Sequence, residues 1–205
     1  MTAAAAPMGV RAPAVAARWL VPAGLLLALG TIVGLRWWAT RAGLDPLAIG
    51  AAFGIALGSV AVARTARPIL PAARSVVIGI AVGLGLALIT LAASSAAGLG
   101  AGTLLGRPQV PFVAWAAITI VVATAEEALL RGRLFDAVRR AGGLALAMLV
   151  TTVAFALMHV PVYGWHVVPL DLAVGLALGG LRLATTGIAA PAAAHAVADL
   201  ATWWL

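Results

Sequence analysis

Ser75–Leu99 reads SVVIGIAVGLGLALITLAASSAAGL, twenty-five residues without one charged side chain. A bilayer core of roughly 30 Å needs about twenty apolar residues per spanning helix. Similar stretches recur on both sides, and the pattern predicts spans at 19–38, 47–63, 75–99, 110–130, 143–160, 167–183 and 188–205. Breakers or charges separate them: Arg41 to Pro46, Arg64 to Arg74, Gly106 to Pro111, Arg139 to Gly143, Pro161 to Gly164 and Thr185 to Gly187. The chain is 64% hydrophobic and 9% charged, whereas a soluble domain carries roughly a quarter charged residues. The expected fold is all-α, a polytopic membrane bundle of about seven transmembrane helices. Gly and Ala abundance suits close helix packing in lipid.

The composition also excludes some chemistry. Cysteine is absent, so thiolate nucleophiles, Cys zinc sites and disulfides are ruled out. All thirteen basic residues are Arg, which reads as the codon bias of a GC-rich, bacterial genome. The +7 net charge does not indicate nucleic acid, because the Arg residues stand at predicted span ends. Arg11, Arg18, Arg64, Arg67, Arg74, Arg131, Arg133, Arg139, Arg140 and Arg182 fall on one side, and Arg36, Arg41 and Arg107 on the other. This asymmetry predicts a cytoplasmic N-terminus in a plasma membrane. The first span lacks a small-residue cleavage site, since Arg36-Trp37-Trp38 follows it, and it reads as an anchor.

Ionisable groups inside spans are functional candidates by default, because each costs a few kcal/mol on insertion scales. Of six acidic residues, Glu126, Glu127, Asp171 and Asp199 lie in or beside spans, as do His159 and His195. Glu127 and Arg131 are four apart with the acid first, the favourable order for a helical ion pair. Glu126 points about 100° away and keeps a free carboxylate. The three residues equally fit a buried charge cluster that ties helices together. Glu126 lies sixteen residues before Gly142, and His159 sixteen after Gly143. A helical hairpin turning there brings both to one depth, roughly 24 Å down each arm, where they can share a water. His195 and Asp199 are one turn apart, so Asp199 can hold or charge the imidazole.

Three motifs follow one another in adjacent spans: Glu126-Glu127-Ala128-Leu129-Leu130-Arg131, Phe155-Ala156-Leu157-Met158-His159 and His195-Ala196-Val197-Ala198-Asp199. Together they resemble the CPBP intramembrane proteases, which include type II CAAX prenyl endopeptidases and bacteriocin-processing or immunity proteins. The resemblance covers about residues 110–205. It divides the chain into a disordered cytoplasmic N-terminus (1–18), transmembrane helices without motifs (19–105) and a CPBP-like catalytic core (106–205). It implies an endopeptidase acting on a membrane-associated or lipidated peptide or protein. On it, Glu126 is the general base, His159 its partner, and His195 with Asp199 the oxyanion side; Glu127 and Arg131 are supporting. Asp199 departs from the Asn of the prenyl-protease members.

No cofactor is required by this reading, although Glu126, His159 and His195 are candidate ligands for a divalent metal such as zinc. The expected partners are membrane lipid and a membrane-associated substrate. A His-Glu-x-x-His zinc helix is missing. His166, with Tyr163 and Trp165, reads as interfacial, as do most of the seven Trp residues. Asp171, just after Pro169, reads as a helix cap. Two other functions use the same residues: a non-proteolytic immunity or scaffold protein, and a proton-coupled transporter. Against transport, no pair of matching broken helices is evident.

Overall fold

The structure is a computed structural model, described over residues 17–62, 73–96, 110–185 and 187–204, with side chains of 93–96 excepted. The expected disordered N-terminus lies outside these residues, apart from Ala17 and Arg18. All regular structure among them is helical. The elements are α1 (Leu20–Arg41), α2 (Pro46–Val62), α3 (Ala73–Ala96), α4 (Phe112–Glu127), a π-helical segment (Ala128–Leu134), α5 (Phe135–Gly142), α6 (Leu144–Tyr163), α7 (Val168–Thr185) and α8 (Ala189–Ala201). Because α4, the π segment and α5 run on without a break, they form seven rods, in the places the apolar runs predict.

The breaks have local causes. Gly43, Gly143 and Gly164 have φ of 71°, 88° and 92°, a region that favours glycine. Gly143 alone makes the hairpin turn between α5 and α6, with Gly142 still helical. At the start of α2, Asp45 Oδ1 accepts the Ala48 N–H at 2.8 Å, and Pro46 takes the first helical position, where its missing N–H costs nothing. Pro161 sits inside the last turn of α6, which continues to Tyr163.

Five of the rods are long and apolar enough to cross a bilayer. The expected helical membrane bundle of about seven helices is present, and two of its rods are shorter than the rest. α2 has 17 residues and α8 only 13, about 26 and 20 Å at 1.5 Å per residue. Large apolar side chains point outward, such as Leu27, Ile55, Val77, Leu88 and Val113, each more than 60% exposed. Glu126, Glu127, Arg131 and His195 are buried within. Water-soluble domains bury the first kind and expose the second; a bundle solvated by lipid reverses this.

Glycines let the motif-free helices approach the motif-bearing ones. On α2, Gly50, Gly54 and Gly58 recur every four residues and face Ile118, Val121, Val122 and Ala125 of α4. On α3, Gly79 and Gly83 lie against the Ala190 and Ala194 carbonyls of α8, so closely that an added Cβ would stand 2.4 and 2.6 Å from those oxygens. Small residues at four-residue spacing are how helices pack in lipid, where no hydrophobic force draws them together. Through these faces α2 holds the helix of Glu126, and α3 the helix of His195.

Candidate active site

Glu126 and Glu127 end α4, where the π segment begins. Such segments shift the residues after them around the helix and occur often at functional sites. Arg131 lies within it and is fully buried, so it does not belong among the loop arginines counted for orientation. Its Nη1 donates to Glu127 Oε1 at 2.8 Å, and its Nη2 to the Gly175 carbonyl at 3.1 Å. The guanidinium lies 4.6 Å from the centre of the Phe155 ring. In turn the Arg131 carbonyl accepts from Arg182 Nε at 2.9 Å. Arg182, read from sequence as a loop residue, thus reaches back to the π segment, with Asp136 3.4 Å from its other end.

Glu127 has a second contact. Its Oε1 also lies 3.0 Å from His195 Nδ1. A carboxylate here accepts an Nδ1–H and so fixes the ring's tautomer and orientation. The other ring nitrogen, Nε2, stands 3.6 Å from Glu126 Oε2 and 3.4 Å from Asp199 Oδ2. Asp199 keeps the contact with His195 expected from their spacing, but the hydrogen bond to the ring is made elsewhere. Glu127 makes the hydrogen bond, because the α4–α8 contact places it against the far nitrogen. Asp199 shares the open face with Glu126, and its side chain is 43% exposed.

His159 is one helical turn beyond Phe155 on α6. Its Nδ1 lies 3.1 Å from Asp171 Oδ2, but the angle is not that of a hydrogen bond, and both buried atoms lack any other partner. Asp171 is therefore not the helix cap that its place after Pro169 implies. It stands one turn into α7, facing α6. No hydrogen bond or ion pair joins His159 to Glu126 among the described residues. Phe155 meets both imidazoles edge-on, at 4.8 Å for His159 and 5.2 Å for His195. The three motifs thus converge around one aromatic ring.

Two more groups approach the cluster. Tyr163, one turn after His159, has its ring 5.8 Å from that imidazole. Arg36 of α1 lies 4.4 Å over the ring of the buried Phe53. Asp171 could have been found in the sequence by the depth argument that relates Glu126 to His159. It follows Gly164 by seven residues, and His159 precedes that glycine by five. Arg36 carries no such signal, being remote in sequence from every motif.

The donors considered for a metal are Glu126, His159 and His195. Among the described residues, no three His, Asp or Glu side chains are gathered as an ion site. His159 is turned to Asp171, and both nitrogens of His195 face carboxylates. This donor set does not fit a three-ligand centre.

Residues 108–201, a little under half of the chain, match the family model described as type II CAAX prenyl endopeptidase, Rce1-like. No curated protein and no solved structure matches the chain. Through that matched region, where the two glutamates, both histidines and the buried arginine meet, the chain is similar to the type II CAAX prenyl endopeptidases, and its long apolar helices are those of an integral membrane protein.

Proposed function

We propose that the protein is an endopeptidase in which Glu126 activates water against a peptide bond of a membrane-associated or lipidated substrate. The observation that carries this is the inequality of two adjacent glutamates. Glu127 is held by Arg131 and His195, whereas Glu126, equally buried, has no hydrogen-bond partner among the described residues and faces His195 Nε2. A buried carboxylate kept free beside an imidazole is placed to accept a proton.

The chemistry then balances without an added group. Glu126 takes a proton from water as its oxygen attacks the carbonyl carbon. The oxyanion forms beside His195, which as an imidazolium gives Nδ1–H to Glu127 and Nε2–H to the oxyanion. As the C–N bond breaks, Glu126 returns the proton to the leaving nitrogen. His159, with Nδ1 toward Asp171, keeps Nε2 for the water or the substrate. Recruitment of a metal forms no part of this sequence of steps.

Purified protein in lipid vesicles, given a peptide released by membranes of wild-type cells and retained by membranes carrying Glu126→Gln, tests this. Glu126→Gln is expected to insert normally and to cleave at least 10²-fold more slowly. A scaffold would keep its phenotype in that variant, and full cleavage by it would refute the assignment. We further read the N-terminus as cytoplasmic, in a bacterial plasma membrane, on the remaining Arg asymmetry. Reporters fused after Arg74 and after Arg107 should then report inside and outside respectively, and the reverse pattern would overturn this.

A further inference from the structure

Arg133 takes no part in the proposed hydrolysis, and its surroundings differ from those of the two arginines that stand near it in the bundle. Arg131 and Arg182 each have a carboxylate. Arg133, half-buried, has none within ion-pair distance among the described residues. Its Nη1 donates to the carbonyl of Val60, in the last turn of α2. A cation is favourable at a helix C-terminus, and capping α2 accounts for only one of the several N–H groups of a guanidinium. The others are open to the outside of the bundle: Arg131 Nε is sealed in without a partner, and no nitrogen of Arg133 is.

Beside it runs a groove of about 460 Å³ between α1 and α2, walled by Leu20, Gly24 and Ala28 on one side and Val60 on the other, with Arg133 as the one charged residue that lines it. From Leu20 to Ala28 it follows α1 for eight residues, about 12 Å. Gly24 keeps its middle open, since an added Cβ there would meet nothing within 4 Å. The hydroxyl of Ser59, the other polar lining group, is bonded to the Ile55 carbonyl. The mouth lies at the end of the bundle: Leu20 opens α1, Val60 stands in the last turn of α2, and the Trp19 ring lies against Gly142 at the α5–α6 turn. Arg18, Arg139 and Arg140 are exposed at this same end, and among the described residues no carboxylate pairs with them either.

Lipid of some kind fills any outward groove in a bilayer, and an arginine that merely caps a helix while reaching toward headgroups is the simpler reading. Two features go beyond it. The cation stands at the head of an apolar channel that fits the upper part of a chain, and no acid neutralises it or the arginines beside it. A phosphate offers paired oxygens to the guanidinium fork, and basic pockets between transmembrane helices recognise acidic headgroups. A zwitterionic headgroup would bring its own cation among these arginines, whereas an anionic one does not. We propose that this groove is a binding site for an anionic phospholipid, with its phosphate on Arg133 and one acyl chain laid along α1 past Gly24. α1 and α2 lie outside the matched region, so the site is built largely by the motif-free helices. A lipid seated there ties α1 and α2 to the π segment that follows Glu126 and Glu127.

The test needs no substrate and is independent of the hydrolase reading. The full chain, delipidated in neutral detergent, is titrated with phosphatidylglycerol or with phosphatidylcholine of the same chains, and bound lipid is counted by native mass spectrometry. The wild type is expected to hold phosphatidylglycerol roughly fivefold more tightly, the gain one arginine contributes at a membrane surface. Arg133→Gln should lose this preference. Because that change also uncaps α2, Gly24→Leu is the second variant: it fills the groove, leaves the bond to Val60 in place, and should weaken phosphatidylglycerol binding by a similar factor. Gly34→Leu, on the same helix and also with open space around it, should bind as the wild type does. Equal affinity of the wild type for the two lipids would overturn the proposal. So would a preference that survives in Gly24→Leu, or one lost as fully in Arg139→Gln as in Arg133→Gln, because the attraction would then belong to the basic end as a whole. Displacement of the lipid by millimolar inorganic phosphate would make this a site for a free anion, and the phospholipid assignment would fall.

Discussion

Gly79 offers a sharp test of how the site is held, because it is far from every motif. An ideal Cβ at Gly79 stands 2.4 Å from the Ala190 carbonyl oxygen and 2.8 Å from Ala193 Cβ. Ordinary contacts begin near 3.4 Å, and the obstacle is backbone, which cannot rotate aside. Gly79→Ala must therefore part α3 and α8 by about 1 Å, at the cost of roughly 1–3 kcal/mol typical of overpacking. Displaced by that amount, α8 would carry His195 Nδ1 from 3.0 Å to about 4 Å from Glu127, beyond hydrogen-bond range. A misplacement of this size costs on the order of 10²-fold in rate. The assay is kcat in vesicles, normalised to the inserted fraction. Gly85, on the same helix, has nothing within 4 Å of an added Cβ, so Gly85→Ala is the control and should keep full activity. Wild-type kcat in Gly79→Ala, or equal damage in Gly85→Ala, would refute the argument that the α3–α8 distance sets the site.

Glu127→Gln should lose stability and rate together, because the carboxylate holds both Arg131 and His195. Leaving Arg131 without its counter-ion costs roughly 3–5 kcal/mol, readable as a lower Tm in detergent, and an inactive variant with unchanged Tm would contradict this. Asp171→Ala should lower kcat by up to about 10²-fold with Tm nearly unchanged, and Asp171→Asn should recover part of the loss by keeping a group opposite His159 Nδ1. Full activity in Asp171→Ala would show that the His159–Asp171 contact is idle.

The helical bundle was legible because lipid imposes one rule, apolar runs of sufficient length, and Ser75–Leu99 states it plainly. The Glu127–Arg131 pair and the Gly143 turn follow from helix geometry, and the structure has both. Other features depend on relations between helices. Which carboxylate reaches His195 is decided by how α4 and α8 are placed against each other, and i,i+4 spacing favoured Asp199 over Glu127, sixty-eight residues away. The π segment changes the helical period midway, and periodic reasoning assumes a constant one. Asp171 was assigned by its local neighbour Pro169, although its partner is on another helix. The glycine spacing at 50, 54, 58, 79 and 83 was visible, but only the packed structure identifies the helices those residues serve.

A hydrolase inside a membrane also needs its second reactant, water. α8, with 13 residues, spans about 20 Å, against a hydrocarbon layer of roughly 30 Å. A helix this short obliges the bilayer beside it to thin, or leaves part of that depth to headgroups and water. The shortfall lies next to the residues that would use it, since Asp199, the most exposed acid of the cluster, is two residues from the end of α8. The length of one helix thus sets how near headgroups and water come to Asp199.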